Sequence, residues 1–592
     1  MRTVHVIYVA ILGSAILVAT DVALDLTAGV GGWATIALSA VETALVIPWA
    51  VYVVRLDRQE RAAPTGADRL RQGAVHALNI ALVALCLGEK WLVLHEAVVH
   101  GATFYAASYR IYTVAAWVLV AIGLLGRGSR AGRFLFAMSE HPARLMSLSF
   151  GIAALLGALV LSLPQSLRHI GDANFVDALF TAVSAVCVTG LTVDNVAETY
   201  SGFGQVVILV LVQIGGLGIM VLSGAFTILA GRHLKIRTSA VLAEMVDVES
   251  LASLRRLVVR IVVFTGIIEA VGAAALYAGF LPYPQTDLDY APGLDLSGAG
   301  GRLWAAVFHS ISAFCNAGFS VFFDGMVPFA RSWSVCLTLS VLIVLGGLGF
   351  PVLDELYRRA ATRLRGDRPR RASLHARVVL LTTAVLLVAG TVAYGALEWG
   401  GSMDGLAWHD KLLASLFQSV TTRTAGFNTV SFGAMGASTL MLTCVLMFLG
   451  ASPGSTGGGI KTTTLAVLFA TLRAEFRSLP RPRLLDRTVP AATVRRALAV
   501  TFASVGIVSI AVFGLLLLEE GDAMDLIFEG VSAFGTVGLS TGITPSLSEA
   551  GRLLVTATMF VGRIGPLTLA LAVAATARRP PYELPEERVS IG

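Results

Sequence analysis

The sequence predicts an all-α polytopic membrane protein with four repeats of spanning helix, short pore helix and second spanning helix around one pseudo-fourfold pore. About four extra transmembrane helices precede the repeats. Three observations carry this. Of 592 residues, 56% are hydrophobic and only 14% charged, with a mean hydropathy of +0.77, which leaves too little polar surface for a soluble protein of this length. Apolar stretches of about 20 residues, the length that crosses a bilayer core, recur along nearly the whole chain. From about residue 145 onward, one unit appears four times.

The apolar stretches fall near residues 4–24, 33–54, 73–90, 105–126, 145–163, 203–230, 257–279, 333–356, 378–398, 437–472, 497–518 and 552–577. Lipid offers no hydrogen-bond partners, so each must satisfy its own backbone as a helix. The net charge of +6 would suit nucleic acid, but the basic residues occupy short loops between apolar spans, and no nucleic-acid partner is expected. Arg55 to Arg71, Arg127 to Arg144, Arg232 to Arg256, Arg358 to Arg377, Arg473 to Arg496, and Arg578 with Arg579 all fall on one side when the spans are followed alternately across the bilayer. By the positive-inside bias that side is cytoplasmic, and with it both termini of a multi-pass protein of the cytoplasmic membrane.

The first apolar run, behind Arg2 and His5, has a signal peptide's outline, but a second span follows at once and it reads as a spanning helix. Cys86, Cys187, Cys315, Cys336 and Cys444 all sit in apolar surroundings without CxxC spacing and read as packing residues. His95, Glu96 and His100 resemble a zinc-protease helix, yet that chemistry needs histidines four apart on one face, and these are five apart.

Each repeat places a segment too short to cross before a glycine-containing turn. The segments read VSAVCVTGL from Val183, ISAFCNAGF from Ile311, SVTTRTAGF from Ser419 and VSAFGTVGL from Val531. Aligned without gaps, they bring Gly190, Gly318, Gly426 and Gly538 into register, with Phe180, Phe308, Leu416 and Phe528 ten residues earlier. The physical reading is a half-helix that ends inside the membrane and returns as extended backbone, which is tolerated there only where it lines a cavity or is packed in protein. Carbonyls ringed around one axis replace the hydration shell of a cation such as K+. The candidate filter is therefore Val188, Thr189, Gly190 and Leu191; Asn316, Ala317, Gly318 and Phe319; Thr424, Ala425, Gly426 and Phe427; and Thr536, Val537, Gly538 and Leu539. Glycine permits the turn, and the half-helices aim their negative C-terminal ends at the cavity. Gly215, Gly216, Gly218, Gly346, Gly347 and Gly349 read instead as close-packing positions within full spans.

The runs AVSAVCVTGLTV, HSISAFCNAGF, QSVTTRTAGFNTVSF and SAFGTVGLSTGIT resemble the four filters of the Trk/Ktr/HKT potassium transporter superfamily, over roughly residues 144–577. The loop GASPGSTGGGIKTTT is most similar to the KtrB branch. The resemblance implies K+ as the transported ion, a homodimer, and a cytoplasmic ring of KtrA/TrkA-like RCK-domain subunits carrying the regulatory nucleotide, ATP/ADP or NAD. No cofactor is expected in this chain itself. In that superfamily a serine at the first filter glycine accompanies sodium selectivity in some plant members; Gly190 is glycine here. The chain departs from KtrB in its N-terminal 140 residues.

The span from 437 is interrupted by Gly450, Pro453, Gly454, Gly457, Gly458 and Gly459, so it should break into two helices around a loop. The resemblance makes Gly450, Ala451, Ser452, Pro453, Gly454, Ser455, Thr456, Gly457, Gly458 and Gly459, with Lys461, an intramembrane gate moved by the cytoplasmic partner. A phosphate-binding P-loop does not fit, because Ile460 separates Gly459 from Lys461 and no strand precedes. Arg563, about eleven residues into the last span, has two readings: a positive charge beneath the filter that pairs with the gating loop, or half of an ion pair with Glu269 or Glu529. Asp177 and Glu529, near pore-helix starts, read either as helix-end charges or as ion attractors, and Arg423 as a brace for its loop.

These readings divide the chain into extra helices at 1–140 and repeats at 141–240, 241–365, 366–485 and 486–592, the third carrying the gating loop and the fourth the cytoplasmic tail. No nucleophile–base pair or metal cluster suggests an enzyme. The alternative to channel-like uptake is a Na+-coupled or other secondary cation transporter.

Overall fold

The computed structural model describes residues 142–168, 174–229, 251–283, 296, 298–367 and 371–565. All belong to the second of two units into which the chain divides, Ala137–Gly592. The first four predicted spans, Cys86 and the His95–His100 segment lie outside the described residues.

The described residues are almost wholly helical. In order come α1 (Pro142–Leu161), the short α2 (Phe175–Cys187), α3 (Val196–Thr199) and α4 (Gly202–Leu229). They are followed by α5 (Leu251–Phe280), the short α6 (Ala299–Cys315), α7 (Trp333–Leu348) and α8 (Phe350–Leu364). The third group is α9 (Leu374–Glu398), the short α10 (Trp408–Thr421), α11 (Ala437–Phe448) and α12 (Thr462–Phe476). A two-stranded hairpin, Arg483–Leu484 with Arg487–Thr488, leads to α13 (Ala491–Leu518), the short α14 (Ala523–Gly535) and α15 (Glu549–Ile564).

Among the described residues, Val259–Phe280, Leu374–Glu398 and Ala491–Leu518 are long and apolar enough to cross a bilayer. Their large apolar side chains point outward: Val271, Val392, Ile510 and Leu517 are each at least 65% exposed. A water-soluble protein could not leave that surface uncovered. The short helices α2, α6, α10 and α14 are enclosed, with Phe180, Phe308, Phe417 and Phe528 fully buried. Two of them start on side-chain caps, where Asn174 accepts from Val176 N at 3.0 Å and Asp522 from Met524 N at 2.7 Å.

The predicted break after residue 437 is present, with helix ending at Phe448 and resuming at Thr462. A second break was not expected. The span predicted at 333–356 stops at Leu348, and α8 departs from α7 at 104°. Gly349 makes the turn at φ +88°, where a Cβ would stand 2.6 Å from Pro453 O. Pro351 then occupies the first turn of α8, where its missing N–H costs nothing.

Candidate ion pathway

Strained backbone stops three of these short helices and closely follows the fourth. Val188, Asn316 and Thr536 take the left-handed conformation directly after α2, α6 and α14 (φ 56°, 59° and 50°), and Thr424 does so three residues after α10 (φ 69°). Left-handed backbone is unfavourable for any residue with a Cβ, and most for β-branched Val and Thr. Four of the six non-glycine residues with positive φ among the described residues are at these points. Local hydrogen bonds hold them: Thr189 N donates to Ser184 O at 2.8 Å, Ala317 N to Ser312 O at 2.7 Å, and Val537 N to Ser532 O at 3.0 Å.

Two residues on, the chain turns again at Gly190, Gly318, Gly426 and Gly538, with φ of 94°, 69°, 80° and 87°. These four glycines meet in a cycle. A Cβ at Gly190 would strike Ala317 O; at Gly318 it would lie 2.9 Å from Ala425 O, and at Gly426 2.6 Å from Val537 O; at Gly538 it would strike Thr189 O. The carbonyl preceding each glycine is thus packed on the neighbouring loop's glycine, and no side chain fits anywhere in the ring. Hydroxyls hold the loops from behind, with Ser184 Oγ accepting from Gly190 N at 3.0 Å and Ser312 Oγ donating to Phe319 O at 2.8 Å.

Further contacts tie successive loops together. Asn195 donates to Phe323 O at 2.7 Å, Met326 N to Asn428 O at 3.1 Å, and Arg552 to the Asp177 carboxylate at 2.6 Å, joining the fourth group of helices to the first.

Residues 449–461 lie against this ring. Gly458 N donates to Thr536 Oγ1 at 3.1 Å, and Gly457 abuts Thr424 so closely that a Cβ would collide with Thr424 Oγ1. Backbone bonds from Ser452 N to Gly347 O (3.1 Å) and from Phe350 N to Gly454 O (3.0 Å) stitch the loop to the break at Gly349. Lys461 Nζ turns back onto the loop, donating to Gly457 O at 2.7 Å and Gly458 O at 3.2 Å. Buried Arg563 donates to Thr456 O and Gly215 O. Among the described residues neither cation has a carboxylate partner; both donate to backbone carbonyls.

Arg563 is therefore not paired with either acid considered for it. Glu269 accepts from Gln213 at 3.2 Å, and Glu529 from Thr544 at 2.6 Å. Asp177 lies in the first turn of α2, as expected. Glu529 does not lie near a helix start: it is the seventh residue of α14, and Asp525 holds the first-turn position. Arg423 is buried, 8% exposed. Gly215, Gly216 and Gly346 do pack closely, on Val186 O, Cys315 and Phe314 O, but Gly346 O and Gly347 O also accept bonds from the loop, and Gly349 is the bend itself. Cys187, Cys315, Cys336 and Cys444 are buried and unbridged.

The architecture has known counterparts. A model of the TrkH cation transport protein family matches residues 134–580. The chain belongs to that family. It is 35% identical over 458 residues to the potassium/sodium uptake protein NtpJ of Enterococcus hirae, covering 76% of this chain and 97% of that protein. To the Ktr system potassium uptake protein B of Bacillus subtilis it is 35% identical, covering 74% and 93% respectively. The potassium transporter TrkH of Vibrio parahaemolyticus superposes with a TM-score of 0.58 at 19% identity, over 84% of this chain and 98% of that one, and shares its fold. TrkH-family membership makes this a multi-pass membrane protein of ion transport, not one of an enzyme family.

Proposed function

We propose that this chain carries K+ into the cell through the ring formed by its four loops, and that residues 450–459 with Lys461 and Arg563 form the gate. The observation that carries the reading is the cyclic abutment of Gly190, Gly318, Gly426 and Gly538 on the preceding carbonyls of their neighbours. Four carbonyl-bearing turns around one axis are a coordination site for a dehydrated monovalent cation. The C-terminal ends of α2, α6, α10 and α14 add negative potential at the same place. Uptake is driven by the membrane potential. The units 141–240, 241–365, 366–485 and 486–592 are the four pore repeats, both termini are cytoplasmic, and residues 1–140 are extra transmembrane helices.

The similarity to the B. subtilis uptake protein supports a pore subunit that works as a homodimer on a KtrA/TrkA-like cytoplasmic ring, with the nucleotide bound there. Expression in a bacterium lacking its own K+ uptake, with and without such a partner, tests this. Growth at limiting K+ is expected, stronger with the partner; absence of growth from a membrane-inserted protein would refute it.

Arg563 gives a sharper test of the gate. Its guanidinium holds Thr456 O and adds a positive charge to the cation route, so Arg563→Gln is expected to raise Rb+ flux severalfold with near-normal melting. Because no carboxylate among the described residues faces it, the substitution does not strand a buried charge, the defect that makes breaking an ion pair cost about 3–5 kcal/mol. Depressed melting with unchanged flux per folded molecule would assign Arg563 a structural role only.

A further inference from the structure

The four loops are alike in register but not in what stands behind them. Nine residues before each filter glycine the sequence places Thr181, His309, Phe417 and Glu529. Two of these are ionisable side chains, and they belong to the second and fourth loops, which lie across the cycle from one another. All four are buried, His309 and Glu529 completely.

Both reach the return limb of their own loop. Glu529 Oε1 accepts the Thr544 hydroxyl at 2.6 Å, and Thr544 Oγ1 lies 3.0 Å from Ser540 Oγ, two residues past Gly538. In the second loop His309 Nε2 lies 3.0 Å from Ser320 Oγ, two residues past Gly318. The ring's other nitrogen, Nδ1, is 2.8 Å from Ala305 O, which can only accept. Nδ1 therefore carries the proton and Nε2 accepts from Ser320, whose oxygen in turn takes Phe322 N–H at 3.0 Å. The imidazole is clamped against Phe322, stacked at 4.7 Å and 11°.

A carboxyl and an imidazole buried deep in the membrane part of a protein are costly to keep, and such groups mark function more often than packing. Glu529 Oε2 has no partner among the described residues. Its one bonded oxygen serves the return limb.

We propose that Glu529 and His309 are positioning residues for ion selection: hydrogen-bonded struts that fix the fourth and second return limbs and thereby the spacing of the Val537 and Ala317 carbonyls. This rests on the filter reading above. Neither side chain touches the ion; each acts through a hydroxyl two to six residues beyond the glycine. Thr181 and Phe417, at the equivalent positions of the first and third loops, carry no ionisable group.

The test is a set of purified variants in liposomes, with Na+ and K+ competing against Rb+ uptake and melting measured on the same samples. Glu529→Ala, Thr544→Val and Ser320→Ala are each expected to lower K+/Na+ discrimination about fivefold, the weight of one hydrogen bond. Glu529→Gln, whose amide oxygen still accepts from Thr544, is expected to keep discrimination near normal. The double variant of Glu529→Ala with Thr544→Val should lose no more than either alone, because both remove one bond. Thr544→Val and Ser320→Ala remain informative if the glutamate variant does not fold. Lowered melting with unchanged discrimination would overturn the proposal, as would additive losses in the double variant. Gly426→Ser runs alongside: if it alters discrimination and the strut variants do not, only the struts fail; if it too leaves discrimination unchanged, the filter reading fails.

Discussion

Gly426→Ser is expected to reduce K+/Na+ discrimination by about tenfold or more and to weaken K+ uptake. The residue sits at φ +80°, and its Cβ would lie 2.6 Å from Val537 O and 3.0 Å from the Cα of Gly318. A side chain in left-handed backbone costs roughly 1–2 kcal/mol before any clash is counted, and about 1.4 kcal/mol is a factor of ten. The ring can relieve both only by moving the Val537 carbonyl, and the ion sees that movement as a changed cavity. Gly190→Ser and Gly538→Ser should act in the same direction, since the Ala317 and Thr189 carbonyls come closer still. Competition by Na+ and K+ against Rb+ uptake measures the change. Unaltered discrimination in all the folded variants would remove these glycines from the ion's path.

Deleting residues 451–459 is the second large effect, expected to raise basal flux on the order of tenfold, as for a gate shut about nine-tenths of the time, and to make it largely independent of the cytoplasmic partner. The geometry permits the deletion. Ile460 N already donates to Phe448 O at 3.2 Å, and a Cβ on Gly459 would lie 3.0 Å from the Gly450 Cα, so the ends of the excised segment are neighbours. Along with the bonds to Gly347, Phe350, Lys461 and Arg563, the deletion removes the contact of Gly457 and Gly458 with Thr424 and Thr536, and with it the segment that presses on the third and fourth loops. Liposome flux with and without the partner decides the matter. A folded deletion variant whose flux stays normal and fully regulated would show that the segment is only a connector.

The parts of this architecture legible in the sequence are those that repeat or punctuate. Four glycines in register announced four equivalent turns, and a run of Gly and Pro after Leu449 announced a broken helix. Both signals are local, because the backbone conformation they permit belongs to the residues themselves. The bend at Gly349 is different. Its reason is the approach of Pro453, about a hundred residues away, and within its own apolar run Gly349 looked like the packing glycines at 346 and 347. Its only local signal was Pro351, two residues on.

Charge partners were legible in kind but not in detail. The last span announced Arg563 as a buried cation with two candidate partners, the loop at 450–459 or the carboxylates of Glu269 and Glu529, which stand out in an apolar chain. The protein uses the carbonyls of Thr456 and Gly215, which every residue carries and no sequence marks. Glu529 was misplaced for a related reason: the start of α14 is set by the Asp522 cap, which moves the glutamate to mid-helix, behind the loop rather than at its mouth. The pairing of His309 with Ser320 had a usable signal, since each lies at a fixed distance from the filter glycine, but that comparison requires reading across repeats for difference instead of likeness.

Rb+ uptake by the purified chain in liposomes, driven by an imposed negative-inside potential with no Na+ or H+ gradient, tests the central claim most directly. Uptake is expected to follow the potential, to be displaced by K+ well before Na+, and to lose that preference in Gly426→Ser. Uptake that vanishes without a Na+ or H+ gradient, or that K+ and Na+ displace equally in the unaltered chain, would contradict a potassium pathway through the four-glycine ring.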